Sequence, residues 1–255
     1  MTDGATSGRT AVVTGATSGL GAATARVLVA EGWRVVGTGR RADRLAVLHE
    51  DLGDAFHGAA FDITDATAMR AAIDGLPPAF RGVDLLVNNA GRGLGTALAP
   101  DASLADWEAT IATNVTALVA MTHHLLPVLI ERRGAIVNLS STMANWPGPG
   151  NVVYSATKAF VRQLSLGLRS DLAGTGVRVT SLEPGLAETE FHDVRSGGGR
   201  EAHDAFYGGS GALRPEDVAR TIAWIVSLPP HVNVNSIEVM PISQSLAGIR
   251  TLRDA

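Results

Sequence analysis

Seven short apolar segments alternate along the chain with longer stretches of helical periodicity. The strand-like segments are 10–14, 35–38, 56–61, 83–87, 135–139, 177–182 and 237–240. One helical pattern runs from Ala22 to Val29 and ends near Gly32, and others cover 42–52, 64–75, 103–132, 155–173 and 215–228. Continuous apolar runs are typical of strands buried on both faces. Because crossovers between parallel strands are right-handed, the pattern predicts an α/β fold: a doubly wound, seven-stranded parallel sheet with helices on both faces.

Composition narrows the function classes. The chain has 255 residues, is 45% hydrophobic and carries a net charge of −4. That size suits a single α/β domain, which we place at 1–255. The absence of cysteine excludes disulfides, cysteine–zinc sites and thiol nucleophiles.

The net negative charge of the chain argues against nucleic acid or an anionic membrane as a partner. With no 18-residue apolar run and no apolar leader, we expect a cytoplasmic protein.

The segment 186–214 interrupts the alternation and is rich in glycine and histidine. It is either a solvent-exposed loop or a mobile substrate lid, and its place directly after a strand favours the lid. Arg195 and Arg200 within it could bind an acid, or they could be solvated loop charges.

A glycine-rich turn links the first strand to the first helix. Its sequence, TGATSGLG at 14–21, has the spacing GxxxGxG. Glycine permits positive φ and lets backbone N–H groups approach a pyrophosphate at a helix N-terminus. The turn therefore predicts a phosphate-binding loop made by Gly15, Thr17, Ser18, Gly19, Leu20 and Gly21.

The end of the second strand indicates which dinucleotide binds. An NAD site usually places an acidic residue there, whereas an NADP site places arginine near the 2′-phosphate. Here Arg40 and Arg41 follow Gly39. The sequence favours NADP(H), although the two arginines could instead cap a surface turn.

Polar residues fall at positions where chemistry is expected. Tyr154 and Lys158 share one helix face, and Ser141 follows the strand 135–139. Asn114 lies in an apolar helical stretch, where an amide is more often buried and locally satisfied. No metal site is expected from His123, His124, His192 and His203, because no carboxylate cluster accompanies them.

Taken together, these residues resemble the short-chain dehydrogenase/reductase family from Thr10 to about Ala247. The motifs that carry the resemblance are TGATSGLG (14–21), Asp62, NNAG (88–91), Asn114, LSS (139–141), YSATK (154–158) and Pro184-Gly185 with Thr189. The resemblance implies a Rossmann-like fold, a nicotinamide cofactor, and an enzyme that interconverts a carbonyl and a secondary alcohol on a small molecule.

The resemblance also implies residue roles. Tyr154 would be the acid/base, with its pKa lowered by Lys158 and the nicotinamide. Lys158 would also hold the ribose, Ser141 would donate to the carbonyl oxygen, and Asn114 would hold a relay water. The other cofactor contacts implied, besides Tyr154 and Lys158, are Asp62, Ile63, Asn88, Ala90, Gly91, Pro184, Gly185 and Thr189.

The C-terminal part carries a narrower resemblance. It is similar to NADP-dependent members of the family that act on 3-hydroxy acids such as serine, and also to clavulanate-type dehydrogenases. The segments that carry this resemblance are 214–219, 228–235 and Pro241-Ile242-Ser243-Gln244. The substrate wall is predicted from Ser141, Met143, Trp146, Asn151 and Tyr154. The family usually pairs the helices corresponding to 114–132 and 155–173 in a homotetramer. The apolar residues expected to support this are Leu118, Met121, Leu125, Val128, Phe160, Leu164 and Leu168.

Two other functions remain compatible with the same fold. One is an epimerase or dehydratase that retains its cofactor, and the other is a non-catalytic cofactor sensor. The complete set of Asn114, Ser141, Tyr154 and Lys158 favours net hydride transfer over both.

Overall fold

The computed structural model describes residues 8–245 and 250–251. Its strands are β1 (Thr10–Val13), β2 (Arg34–Gly39), β3 (Phe56–Ala60), β4 (Val83–Asn88), β5 (Ala135–Leu139), β6 (Arg178–Pro184), β7 (Ser236–Val239), β8 (Gln244–Ser245) and β9 (Arg250–Thr251). Its α-helices are α1 (Gly19–Ala30), α2 (Ala42–Leu52), α3 (Ala66–Asp74), α4 (Leu104–Ile111), α5 (Leu118–Arg132), α6 (Val152–Asp171), α7 (Phe191–Ser196), α8 (Arg200–Tyr207) and α9 (Pro215–Ser227).

The first seven strands form one parallel sheet in the order β3-β2-β1-β4-β5-β6-β7. This confirms the predicted seven-stranded, Rossmann-like arrangement. β8 and β9 form a separate antiparallel pair. The strand order reverses between β1 and β4, and in such sheets ligands bind outside the carboxyl ends of the strands at that point.

The sheet separates two apolar cores. One contains Leu28 of α1 and Ile222 of α9, both fully buried. The other contains Met121 and Leu129 of α5. Burial on both faces explains why β1, β4 and β5 are mainly apolar along their length rather than alternating between apolar and polar residues.

The segment predicted as one helix over 103–132 is divided. A π-helical turn, Ala112–Ala117, separates α4 from α5. By length and composition, Leu104–Arg132 is apolar enough to cross a membrane, but core helices of soluble proteins meet the same test. Here Met121, Leu125 and Leu129 pack into the core beneath the sheet.

Two other predictions are corrected. The segment 186–214 is not irregular, because it contains the short helices α7 and α8. The apolar residues Leu118, Met121 and Leu125 do not exceed the needs of the core, since all three are buried within this chain. Large apolar side chains that do face outward on these helical segments include Ile111, Val119, Val152 and Phe160.

Candidate active site

A cavity of about 660 Å³ opens at the carboxyl ends of β1, β4, β5 and β6. The predicted cofactor-site residues that line it are Gly15, Thr17, Ser18, Gly19, Leu20, Arg40, Arg41, Asp62, Ile63, Ala90, Gly91, Tyr154, Lys158, Pro184, Gly185 and Thr189. The predicted substrate-site residues that line it are Ser141, Met143, Asn151 and Tyr154. The chain therefore brings segments from most of its length to one cleft.

Four predicted site residues do not line this cavity: Gly21, Asn88, Asn114 and Trp146. The side chain of Asn88 is buried, and its amide donates to Thr122 and to Asn138 at 2.9 and 2.8 Å. Trp146 is 48% exposed outside the cleft. The Asn88 side chain thus bonds to α5 and β5 within the protein, and Trp146 is not among the residues of the cavity wall.

The glycine loop is held by close backbone contacts. Gly15 and Gly19 adopt positive φ values of 69° and 49°, which favour glycine. A Cβ on Gly21 would collide with the carbonyl oxygen of Gly15 and with the Asn89 amide. Gly21 therefore packs beneath the loop, and its role is to permit the turn rather than to face a ligand.

The two arginines after β2 are not equivalent. The Arg40 side chain is 64% exposed and lies 3.7 Å from Asp62. Arg41 instead contacts the glycine loop, donating from Nη2 to Ser18 Oγ at 2.7 Å and from Nε to Thr17 Oγ1 at 3.2 Å. Its Nη1 donates to Glu190 at 3.0 Å. Both arginines line the cavity, and Arg40 is the more exposed of the two.

Ser141, Tyr154 and Lys158 converge at the end of β5. Ser141 is the second residue beyond this strand, and its Oγ accepts from the Met143 backbone N–H at 3.2 Å and donates to the Pro184 carbonyl oxygen at 3.4 Å. Tyr154 lies on the first turn of α6. Lys158, one turn later, donates from Nζ to the Leu139 carbonyl oxygen at 2.7 Å. Its Nζ lies 5.7 Å from the centroid of the Tyr154 ring.

Burial dominates the electrostatics of this group. It raises the pKa of Tyr154, against the nearby Ser141 hydroxyl and the charge of Arg195, which act to lower it. Burial also lowers the pKa of Lys158 from 10.5 to about 8. The expectation that Lys158 lowers the tyrosine pKa is not reproduced within the protein itself, because desolvation outweighs the nearby charges.

Asn114 lies in the π-helical turn, and protein groups hold its amide on both sides. Its Oδ1 accepts from the Arg92 backbone N–H at 2.8 Å. Its Nδ2 donates to the Arg92 carbonyl at 2.8 Å and to Thr157 Oγ1 at 3.0 Å. The side chain thus ties the loop after β4 to α6, next to Lys158.

The lid segment contributes Phe191 and Arg195 to the cavity wall. The Phe191 and Tyr154 ring centroids are 5.4 Å apart. Arg195 donates to the carbonyl oxygens of Gly95 and Gly150 at 3.2 and 2.8 Å, and also to Asn151. Its charge therefore enters the cleft beside Tyr154, whereas the side chain of Arg200 lies outside the described residues.

Gln244 of the Pro-x-x-Gln sequence also lines the cleft. Its Oε1 accepts from the Leu186 N–H at 2.7 Å, and a Cβ on Gly185 would collide with it. The motif thus fixes the chain just after β6, where the lid segment begins.

The histidines serve separate contacts. His124 pairs with Asp74 at 2.9 Å, and His203 pairs with Asp193 at 2.9 Å. His192 stacks on Phe206. Within 8–245 and 250–251, no group of three or more His, Cys, Asp or Glu side chains is placed to hold a metal ion.

Sequence reasoning missed Glu190, Arg44 and Phe191. Arg44 donates to both carboxylate oxygens of Glu190, at 2.8 and 2.9 Å. These partners are 146 residues apart in the chain. The Arg44–Glu190 contact is visible only in the folded structure, because no local pattern in the sequence indicates it.

Known proteins share this architecture and sequence. The family model for short chain dehydrogenase matches residues 9–197. A serine 3-dehydrogenase of Rhizobium radiobacter is 57% identical over 96% of this chain and 99% of its own. A sulfoacetaldehyde reductase of Chromohalobacter salexigens is 49% identical over 95% of this chain and 98% of its own. The closed form of a serine dehydrogenase complexed with NADP+ superimposes with a TM-score of 0.91 at 46% identity, covering 96% of this chain and 100% of that one.

The low pKa of Lys158 makes stability depend on pH. The side chain is buried, and its pKa falls from 10.5 in the unfolded chain to about 8 in the folded one. Between pH 8 and pH 10.5 the unfolded state therefore binds more protons than the folded state does. The free energy of unfolding of the cofactor-free protein should therefore rise with pH across that window, by about 3 kcal/mol from this group. Urea titrations at several pH values would measure it. Lys158→Met should lack this rise, and parallel profiles for the two proteins would contradict the assignment.

Proposed function

The chain belongs to the short-chain dehydrogenase/reductase family and is an NADP-dependent oxidoreductase acting on hydroxyl groups, and we propose that its substrate is a short organic acid. The observation that carries the proposal is Arg195, a cation in the cavity wall beside Tyr154. The named relatives are dehydrogenases and a reductase, which favours net oxidation and reduction over the epimerase, dehydratase and sensor alternatives.

The substrate class follows from a shared chemical spacing. In serine the hydroxyl-bearing carbon is separated from the carboxylate carbon by one atom. In sulfoacetaldehyde the carbonyl carbon is separated from the sulfonate sulfur by one atom. The names of the two relatives thus describe substrates with an anion at the same distance from the reacting carbon. A guanidinium beside the reacting oxygen suits either anion, because it donates parallel hydrogen bonds to planar or tetrahedral oxyanions.

The cleft fits a dinucleotide. Backbone at Gly15, Gly19 and Gly91 lines it without side chains, and the N-terminus of α1 opens into it. Arg40 is the exposed guanidinium at the end of β2, placed to recognise a 2′-phosphate. When bound, the nicotinamide of NADP(H) supplies the hydride chemistry. Lys158 would donate to the ribose, and Thr189 would contact the nicotinamide side.

The remaining chemistry is a proton transfer that this chain's own residues perform. Tyr154 gives its proton to the substrate oxygen on reduction and recovers it on oxidation. Ser141 donates a hydrogen bond to the same oxygen, where negative charge develops. Asn114 positions Lys158 by joining the loop at Arg92 to Thr157 on α6. We assign Asn114 this positioning role beside the relay water that the family resemblance implies.

The lid, the assembly and the location complete the proposal. The segment 186–214 acts as the substrate lid of a single domain spanning 1–255, because α7 places Phe191 and Arg195 over Tyr154. We place the protein in the cytoplasm as a homotetramer, and exposed Val152 and Phe160 on α6 support the association between subunits. Outward-facing apolar side chains of this size are stabilised when a second subunit covers them.

Replacing Tyr154 with phenylalanine tests the chemical assignment. The variant keeps the ring that packs against Phe191 but loses the titratable proton. We expect kcat to fall about 10²- to 10⁴-fold, the size of positioned acid–base catalysis. NADPH affinity, measured by fluorescence titration, should change little. A folded variant that keeps more than about a tenth of the wild-type rate would remove Tyr154 from this role.

Arg195→Gln tests the substrate class. Loss of a charged hydrogen bond costs about 1.5–3 kcal/mol, so KM for serine or 3-hydroxypropanoate should rise about 10- to 100-fold. KM for an uncharged alcohol of the same length should stay within about twofold. Arg220→Gln is the matched control, since that side chain is 71% exposed on α9. Equal losses for charged and uncharged substrates would count against an acid-binding role.

The assembly is tested by light scattering. Phe160→Glu should lower the mass measured at micromolar protein, because a buried charge without a partner opposes association. Val47→Glu on α2 is the control, since Val47 is also exposed, at 53% against 41% for Phe160. A wild-type mass equal to one chain would exclude the tetramer.

A further inference from the structure

We propose that Glu190 is a positioning residue that holds the start of the lid against the glycine loop and slows release of the dinucleotide. The proposal concerns cofactor binding and rests on the lid assigned above, but not on the nature of the substrate. We call Glu190, Arg41 and Arg44 the latch.

The latch is a three-residue ion cluster that bridges two separate parts of the cleft. Arg41 Nη1 and Arg44 Nη1 lie 3.0 and 2.8 Å from Glu190 oxygens. The three side chains are 39%, 41% and 44% exposed for Arg41, Arg44 and Glu190. Burial acts to raise the pKa of Glu190, but hydrogen bonds and charge from the two arginines leave it below its ordinary value. The carboxylate is therefore ionised at neutral pH.

Arg41 joins the latch to the phosphate-binding turn. Its Nη2 and Nε donate to Ser18 Oγ and Thr17 Oγ1, so one guanidinium contacts the glycine loop and Glu190 together. Arg44 adds a contact to the Thr17 carbonyl oxygen at 3.4 Å. The lid is thus tied to the two residues that lead into α1.

The neighbours of Glu190 extend this effect to both ends of the cleft. Thr189 precedes it, and a Cβ on Gly19 would lie 3.1 Å from the Thr189 methyl group. Phe191 follows it and packs on the Tyr154 ring. One ion cluster therefore fixes the approach of the lid to the glycine loop on one side and to the catalytic tyrosine on the other.

A different role for Glu190 makes the opposite prediction. If its carboxylate competed with the 2′-phosphate for Arg41, removing its charge would tighten NADPH and leave NADH unaffected. The structure favours the latch, because Arg41 directs Nε and Nη2 into the glycine loop whereas Arg40 is exposed for the phosphate. A latch acts on any dinucleotide, with or without the 2′-phosphate.

The test compares dissociation rates of NADPH and NADH, measured by stopped-flow nicotinamide fluorescence. Glu190→Gln should release both cofactors about 3- to 10-fold faster, consistent with one or two partly exposed ion pairs. The ratio of the two affinities should not change. Glu188→Gln is the matched control, because Glu188 is a neighbouring lid carboxylate that pairs with His203 at 3.5 Å and lies outside the cleft lining. Its rates should equal those of the wild type.

Two further variants separate the mechanisms. Arg44→Gln removes the partner outside the cleft lining and breaks one of the two ion pairs, so it should accelerate release less than Glu190→Gln does, and adding it to Glu190→Gln should give no further acceleration. Arg40→Ala should weaken NADPH and spare NADH. Tighter NADPH binding by Glu190→Gln, or unchanged release in both latch variants, would overturn the proposal.

A second readout needs no cofactor. Hydrogen exchange of the α7 amides should be faster in Glu190→Gln than in the wild-type protein and in Glu188→Gln. The difference should shrink as KCl rises from about 0.05 to about 1 M, because salt screens partly exposed ion pairs. Equal exchange in all three proteins would overturn the latch, whereas the substrate proposal would stand or fall on Arg195 alone.

Discussion

The contact between the loop after β1 and the loop after β4 sets the geometry on which the cleft depends. Thr14 Oγ1 accepts from the backbone N–H groups of Asn89 and Ala90 at 3.0 and 2.9 Å. The Asn89 amide returns a hydrogen bond to the Thr14 carbonyl oxygen at 2.8 Å. These bonds lie where the strand order reverses, and they hold two loops from different halves of the sheet at a fixed separation. Without these bonds, the loop after β4 would not be held opposite the N–H groups of the glycine turn, and the two sides of the cleft would not be fixed relative to each other.

A second set of buried polar groups links β4 and β5 to α6, the helix that bears Tyr154 and Lys158. Asn138 on β5 accepts from Asn88 on β4 and donates to Ser165 on α6 at 2.9 Å. Ser140 then donates to the Lys158 carbonyl oxygen at 2.7 Å. Each buried group of this kind is costly when left unpaired, so the paired network favours one register of α6 on the sheet. That register places Tyr154 and Lys158 at the strand end where Ser141 emerges.

The parts of the structure that sequence reasoning predicted are those with strong local signals. The strand β5 was predicted with its observed ends, and the glycine turn at 14–21 was located by residues whose backbone requirement is local. The helices α7 and α8 were missed because they span six and eight residues and stand among glycines. The different roles of Arg40 and Arg41 depend on Glu190, 149 residues away from Arg41, which no local pattern encodes. Gly21 and Asn88 belong to motifs whose neighbouring residues line the cleft, but only the packing shows that these two do not line it themselves.

The π-helical turn at Ala112–Ala117 has a consequence for the whole segment that contains it. A helix advances by about 100° per residue, so one extra residue in a turn rotates everything beyond it by roughly that angle. The segment before the turn, α4, packs on α6, and the segment after it, α5, packs on β4. The π-helical turn thus changes the direction in which the apolar face of the helical segment points. The part before the turn faces α6, and the part after it faces β4. Asn114, whose side chain bonds to Arg92 and Thr157, lies within this turn, so the residue that joins the loop after β4 to α6 is also at the point where the helix changes phase.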